Sequence, residues 1–186
     1  TAIEEIWVAK GTYNPLYNAA DGTETFCKIP GRGNAFVLVN NVKIYGGFAG
    51  GETDTSGRNF VTNETIMSGD IGILNDTSDN CYHVAISAGV VGSAVLDGFS
   101  VSNGNSSISY LPSPLVNTES ISYDKGGGIY ITESSPVIKN CSVRNNYAYN
   151  DGGGMYLYHS TPVVANCMIA GNLANKGGGI ALYDLS

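Results

Sequence analysis

The sequence predicts an all-β fold, a parallel β-solenoid of four to five coils with inserted loops, and three observations predict it. The first is a restart signal. Gly126-Gly127-Gly128-Ile129-Tyr130, Gly152-Gly153-Gly154-Met155-Tyr156 and Gly177-Gly178-Gly179-Ile180-Ala181 follow one another at intervals of 26 and 25 residues. The second is that the match continues inside the period. Ser135-Pro136-Val137-Ile138-Lys139-Asn140-Cys141 aligns with Thr161-Pro162-Val163-Val164-Ala165-Asn166-Cys167, and Val143-Arg144-Asn145-Asn146 aligns with Ile169-Ala170-Gly171-Asn172. The third is composition: 186 residues hold 25 glycines, 19 asparagines and 12 tyrosines but no glutamine, a mix poor in helix formers. A period of about 25 that holds three short β-like runs, split by Gly, Asn and Pro, is the arithmetic of a three-stranded solenoid coil. Each coil then advances by the ~4.8 Å between hydrogen-bonded strands.

The pattern weakens upstream but persists. Val95-Leu96-Asp97-Gly98-Phe99-Ser100-Val101 aligns with Val137–Val143, and Ile44-Tyr45-Gly46-Gly47-Phe48 aligns with the same block. One column then reads Gly47, Gly98, Asn140, Asn166. Gly and Asn tolerate a left-handed backbone, so this column predicts a sharp corner with positive φ. The next column, Phe48, Phe99, Cys141 and Cys167, is apolar and predicts an inward stack, as do Val101, Val143 and Ile169. Asn146 over Asn172 predicts an asparagine ladder along the axis. Coils start near Phe36, His83, Gly126, Gly152 and Gly177. The early coils are lengthened by insertions at about 14–35, 49–64, 71–82 and 104–125, rich in Gly, Asn, Asp, Ser, Thr or Pro as surface excursions are. Residues 1–186 read as a single domain that ends partway through a coil. A bare solenoid end exposes strand edges, so the expectation is a module of a longer chain, with further modules of that chain capping the C-terminal coil.

Charged residues make up 13% and the net charge is −7. Lys and Arg are scattered singly, with no basic stripe, which argues against a nucleic-acid partner. A uronate polymer or an anionic membrane is repelled unless a basic pocket or a bound cation intervenes. No run of ~18 apolar residues exists, so no helix spans a bilayer and no transmembrane segment is expected. The chain opens at Thr1 within a strand-like run, as a mature or trimmed product does. The cysteines, at 27, 81, 141 and 167, form no CxxC pair, which argues against a zinc knuckle. Cys27 and Cys81 are left open as a pair. Cys141 and Cys167 stack in neighbouring coils, where a disulfide is sterically conceivable and two buried free thiols are the favoured reading.

Strand alternation turns Ile129 and Ile131 inward and Tyr130 outward. Tyr156 then lies beside Tyr130, Tyr158 and Tyr183 share the column that begins with Thr132, and Tyr147 and Tyr149 lie at the following turn. Flat rings at coil spacing suit sugar rings or a partner protein; cross-strand tyrosine pairs also stabilise an exposed sheet with no ligand at all. The insertion 104–125 is expected over this or an adjacent face. Asp70, Asp76 and Asp79, with Asn75 and Asn80, are candidate calcium ligands through oxygen, against the alternative of a solvated loop with Asx turns. A glycosidase needs carboxylates clustered on one groove, and the repeat columns show none. A lyase needs a base, for which Lys139 and Arg144 are candidates. His83 and His159 stand alone, and Gly31-Arg32-Gly33 is too short for a phosphate loop.

The GGG[IM] restart with Val143 to Asn146 and Ile169 to Asn172 resembles the GGA[ILV] and FxxN repeats of polymorphic outer-membrane proteins. The opening Ile6-Trp7-Val8-Ala9-Lys10-Gly11-Thr12-Tyr13, the block Val42–Phe48 and Ser68-Gly69-Asp70-Ile71-Gly72, placed ahead of GGG repeats, are similar to secreted β-helix proteins of Bacteroidetes. The resemblance implies a right-handed parallel β-helix and an exported, cell-surface or extracellular protein. It implies no single activity. The expected role is a binding, adhesive or structural module contacting glycan or protein. The alternatives are a polysaccharide lyase or glycoside hydrolase whose site lies in the loops, and a passive stalk.

Overall fold

The computed structural model describes residues 2–20, 22 and 31–184. The first coil holds β1 (Glu5–Ala9), β2 (Gly11–Tyr13) and β3 (Phe36–Val37). The second holds β4 (Lys43–Phe48), β5 (Thr65–Ser68) and β6 (Ala85–Ala88). The third runs through β7 (Val95–Asp97) and β8 (Phe99–Ser102), then an excursion with β9 (Asn105–Ser106) and the hairpin of β10 (Leu115–Val116) and β11 (Glu119–Ser120), and returns in β12 (Ile129–Thr132). The fourth holds β13 (Val137–Lys139), β14 (Ser142–Arg144), β15 (Tyr147–Ala148) and β16 (Met155–Tyr158). The fifth holds β17 (Val163–Ala165), β18 (Met168–Ala170) and β19 (Ile180–Tyr183).

Each coil gives one strand to each of three five-stranded sheets, ordered β1-β4-β7-β13-β17, β2-β5-β8-β14-β18 and β3-β6-β12-β16-β19. Every pairing within them is parallel. This is the right-handed parallel β-helix, with five coils. Glycine triplets are adjacent in space, since Ile129 pairs with Met155 and Met155 with Ile180.

The columns hold. Gly47, Gly98, Asn140 and Asn166 have φ of 92°, 84°, 54° and 53°, so this corner is left-handed from the second coil to the fifth. A second such corner, Gly89, Glu133, His159 and Asp184, escaped the sequence reading because its residue types vary. Leu96, Phe99, Val101, Ile129, Ile131, Ile138, Cys141, Val143, Met155 and Leu157 fill the coil interior, with Cys167 and Ile169 packed against them. Asn146 and Asn172 form the ladder, Nδ2 of the first donating to Oδ1 of the second at 3.0 Å. The middle glycines are demanded by close approach of the chain: a Cβ on Gly127 would stand 2.1 Å from the Tyr147 carbonyl oxygen.

A second apolar cluster lies outside the helix. Val116 and Ile121, from the 104–125 insertion, pack on Ile86, Ala88, Tyr130, Tyr156 and Ala181 of the β3-β6-β12-β16-β19 sheet. The insertion therefore roofs the face on which the tyrosines stand.

Candidate functional site

The register places the tyrosines as the repeat demands. Tyr130 pairs with Tyr156 and Tyr158 with Tyr183, and ring centroids lie 5.1 Å apart for Tyr130–Tyr156 and 5.6 Å for Tyr156–Tyr183. The open aromatic strip expected from alternation is corrected by the roof. Tyr130 and Tyr156 point away from the helix interior yet are only 5% and 4% exposed, because apolar rings on an outer sheet face gain from being covered. Burial pushes the Tyr156 phenol up to about 12 and the Tyr130 phenol above its usual range. The Lys125 ammonium lies 5.1 Å from the Tyr156 ring. Tyr183 is half-buried and its Oη donates to Asp151 Oδ1 at 2.7 Å. Tyr158 is exposed and stacks on His159 at 4.0 Å.

Tyr147 stands apart from these four and opens onto a groove of about 430 Å³, lined by Thr77, Asn80, Asn103, Gly104, Asn105, Ser107, Asn145 and Tyr147. The fold places each of them. Asn103 and Asn145 occupy a left-handed corner that Gly171 continues. The Tyr147 amide donates to the Gly104 carbonyl at 2.9 Å, and β15 pairs with β9. The amide of Asn80 donates to the Asn103 carbonyl at 2.7 Å and that of Asn105 to the Thr77 carbonyl at 2.5 Å. Buried Arg32 ties this floor together: Nε donates to the Asn80 carbonyl at 2.7 Å, and Nη2 to the Asn105 carbonyl at 2.8 Å and Ser107 Oγ at 3.1 Å. Its guanidinium lies 4.3 Å from the Tyr82 ring centroid. The lining holds no carboxylate, ammonium or guanidinium. Asn80 Oδ1 and Asn105 Oδ1 are buried beneath the groove without a hydrogen-bond partner. Amides, hydroxyls and one phenol ring are the chemistry that recognises sugar hydroxyls and a sugar face. Tyr147 is legible in the sequence as a binding residue, and Asn80 only as a candidate calcium ligand; the asparagines around Tyr147 come from three separate stretches of chain.

A second groove, of about 380 Å³, is charged. Glu64 Oε1 accepts from Arg144 Nη2 and from Ser100 Oγ, both at 2.6 Å, and Ser142 Oγ is buried without a partner. Glu64 is the one carboxylate in the lining. Asp97, close by in the same strand run, is fully buried. It is ion-paired with Arg58 at 2.6 Å and Lys139 at 3.4 Å and accepts a hydrogen bond from Asn140 Nδ2 at 2.8 Å. Lys139 and Arg144, weighed as bases, are thus both ion-paired.

The structure does not gather Asp70, Asp76 and Asp79 into one cage. Each carboxylate closes a turn of its own loop: Asp70 Oδ2 accepts from the Asn75 amide at 3.0 Å, Asp76 Oδ1 from the Ser78 amide at 2.9 Å and Asp79 Oδ2 from the Ile73 amide at 2.7 Å. Hydrogen bonds from Ser78 hold the Asp76 carboxyl below its usual range. Among the described residues no three His, Cys, Asp or Glu side chains are grouped to hold a metal ion.

The histidines also have local partners. His83 Nδ1 lies 2.9 Å from the Gly126 carbonyl, and its ring meets Tyr130 edge-on at 5.2 Å. His159 bridges two corner carboxylates, Glu133 Oε1 at 2.6 Å and Asp184 Oδ2 at 2.7 Å. Cys81, Cys141 and Cys167 are free thiols, and Cys27 lies outside the described residues. No helix among the described residues is long and apolar enough to cross a membrane. A protein-family model described as the right-handed β-helix region matches residues 79–186, more than half of the chain. No curated protein and no solved structure matches the chain.

Proposed function

The chain belongs to the right-handed β-helix family, and from that premise we propose that it is an exported, extracellular or cell-surface module that binds neutral glycan through the groove at Tyr147. The observation that carries the reading is the uncharged lining, in which Asn80, Asn103, Asn105 and Asn145 surround Tyr147. A net charge of −7 disfavours polyanionic ligands at long range, and the groove offers no cation to offset it. The likeness to exported β-helix proteins supports the location.

Titration of the protein with neutral oligosaccharides, first by array and then by calorimetry, tests the reading. Tyr147→Ala and Asn145→Ala should each weaken binding about tenfold or more, given one stacking ring or one hydrogen bond lost, with circular dichroism unchanged. Equal binding by both variants, or no neutral glycan bound at all, overturns it. The Glu64–Arg144 groove favours a second reading, a carbohydrate-active enzyme. Release of reducing ends, or absorbance of unsaturated uronates, that disappears in Glu64→Gln would establish it.

A further inference from the structure

We propose that Cys141 and Cys167 are a redox pair that closes into a disulfide between the fourth and fifth coils. The two residues occupy one column. Lys139 pairs with Ala165 before them and Ser142 with Met168 after them, and the Met168 amide donates to the Cys141 carbonyl at 2.9 Å. Each follows a left-handed asparagine, Asn140 or Asn166, so the same corner aims both side chains into the core stack headed by Phe99. Neighbouring strands stand about 4.7–4.9 Å apart, inside the ~4.4–6.8 Å between α-carbons that a disulfide spans. The two thiols sit in equivalent settings, Cys141 Sγ donating to the Lys139 carbonyl at 3.2 Å and Cys167 Sγ to the Ala165 carbonyl at 3.3 Å.

The pair is asymmetric in a way that gives the chemistry a direction. Cys141 is 3% exposed, and Cys167, in the fifth coil, is only half-buried. The neighbouring Cys167 thiol and burial raise the Cys141 thiol, whereas the neighbouring Cys141 thiol lowers that of Cys167. Cys81 is fully buried and pushed up to about 12, which leaves it inert. Cys167 is the entry point. Its thiolate attacks one sulfur of a low-molecular-weight disulfide and expels the other half as a thiolate. Cys141, losing its proton to solvent, then attacks Cys167 Sγ and expels the second half. Two protein thiols have been oxidised by two electrons, and the small disulfide has been reduced to two thiols. The bond would tie β17 and β18 to β13 and β14 of the coil beneath, with which they pair.

The full chain, reduced and then equilibrated with oxidised glutathione, is blocked with N-ethylmaleimide and digested with trypsin without reduction. Cleavage after Lys139, Arg144 and Lys176 puts the two cysteines in peptides 140–144 and 145–176. The expected product is these peptides joined, with a thermal midpoint about 5–10 °C above that of the reduced protein. Cys141→Ser should leave a stable glutathione adduct on Cys167, and Cys167→Ser should leave Cys141 unmodified. Both cysteines recovered as maleimide adducts, an adduct retained on Cys167 in the unsubstituted chain, or either cysteine joined elsewhere would overturn the proposal. The peptide map reads the unsubstituted protein and does not depend on the variants folding.

Discussion

Asn146 and Asn172 are joined across one coil by two hydrogen bonds to a single atom: Asn172 Oδ1 accepts from Asn146 Nδ2 and from the Asn146 backbone amide, both at 3.0 Å. Asn146 in turn accepts from the Gly104 amide at 2.9 Å and donates to the Val101 and Arg144 carbonyls. It is 1% exposed, so its partners have no water to turn to. Asn146→Ala should cost roughly 2–4 kcal/mol, the penalty for leaving several buried groups unpaired. Urea denaturation measures it, and a cost below ~1 kcal/mol would remove the ladder from the stabilising contacts.

Gly127 and Gly51 make a matched pair of alanine substitutions. A Cβ at Gly127 lies 2.1 Å from the Tyr147 carbonyl oxygen, and at Gly51 it meets nothing within 4 Å. Gly127→Ala should destabilise by about 3 kcal/mol or more because backbone must move between packed coils. Gly51→Ala should stay within about 0.5 kcal/mol of the parent. Similar midpoints for the two in a thermal melt would contradict the stacking.

His83 is buried, and burial lowers its pKa from 6.5 to about 4. The unfolded chain takes up a proton on this ring near pH 6.5, but the folded chain does so only near pH 4. Stability therefore falls as pH drops through that window, by up to roughly 3 kcal/mol. Nuclear magnetic resonance should show the His83 ring still neutral at pH 5.5. A midpoint near 6.5 would show that the ring is solvated.

His159 titrates in the opposite sense. Hydrogen bonds to Asp184 and Glu133 raise its pKa, since only the protonated ring donates to both carboxylates. Its contribution is fully present below pH 6.5 and is lost as pH rises through the folded value. The ring should titrate above 6.5, and Glu133→Gln together with Asp184→Asn should bring the midpoint back toward 6.5. A midpoint unmoved by the double substitution would mean that the bridge does not hold in solution.

The repeat made the interior legible. A side chain facing inward must match those one coil away, so Phe99, Cys141 and Cys167, or Val101, Val143 and Ile169, declared their columns by similarity. The left-handed corner at Gly47, Gly98, Asn140 and Asn166 was legible for the same reason, because few residue types accept that backbone. The second corner was hidden by its side chains. His159 bonds to Glu133 on one side and to Asp184 on the other, and complementarity leaves no repeated letter. The outer face was legible in direction but not in exposure: alternation aimed Tyr130 and Tyr156 outward, and no period in the sequence says that Val116 and Ile121 come to rest on them. Both grooves were hidden because their walls combine insertions with coil corners, as Glu64 and Arg144 show from 80 positions apart.

Stacked coils joined by parallel ladders also define how the molecule answers tension. A load drawn along the axis falls on one inter-coil ladder after another, so the stack opens stepwise, as a zipper does, and does not shear at once. Each step between glycine triplets frees 26 or 25 residues, about 90 Å of chain at full extension, and the coils that carry insertions release longer lengths. The step length of such a stack is written in its repeat.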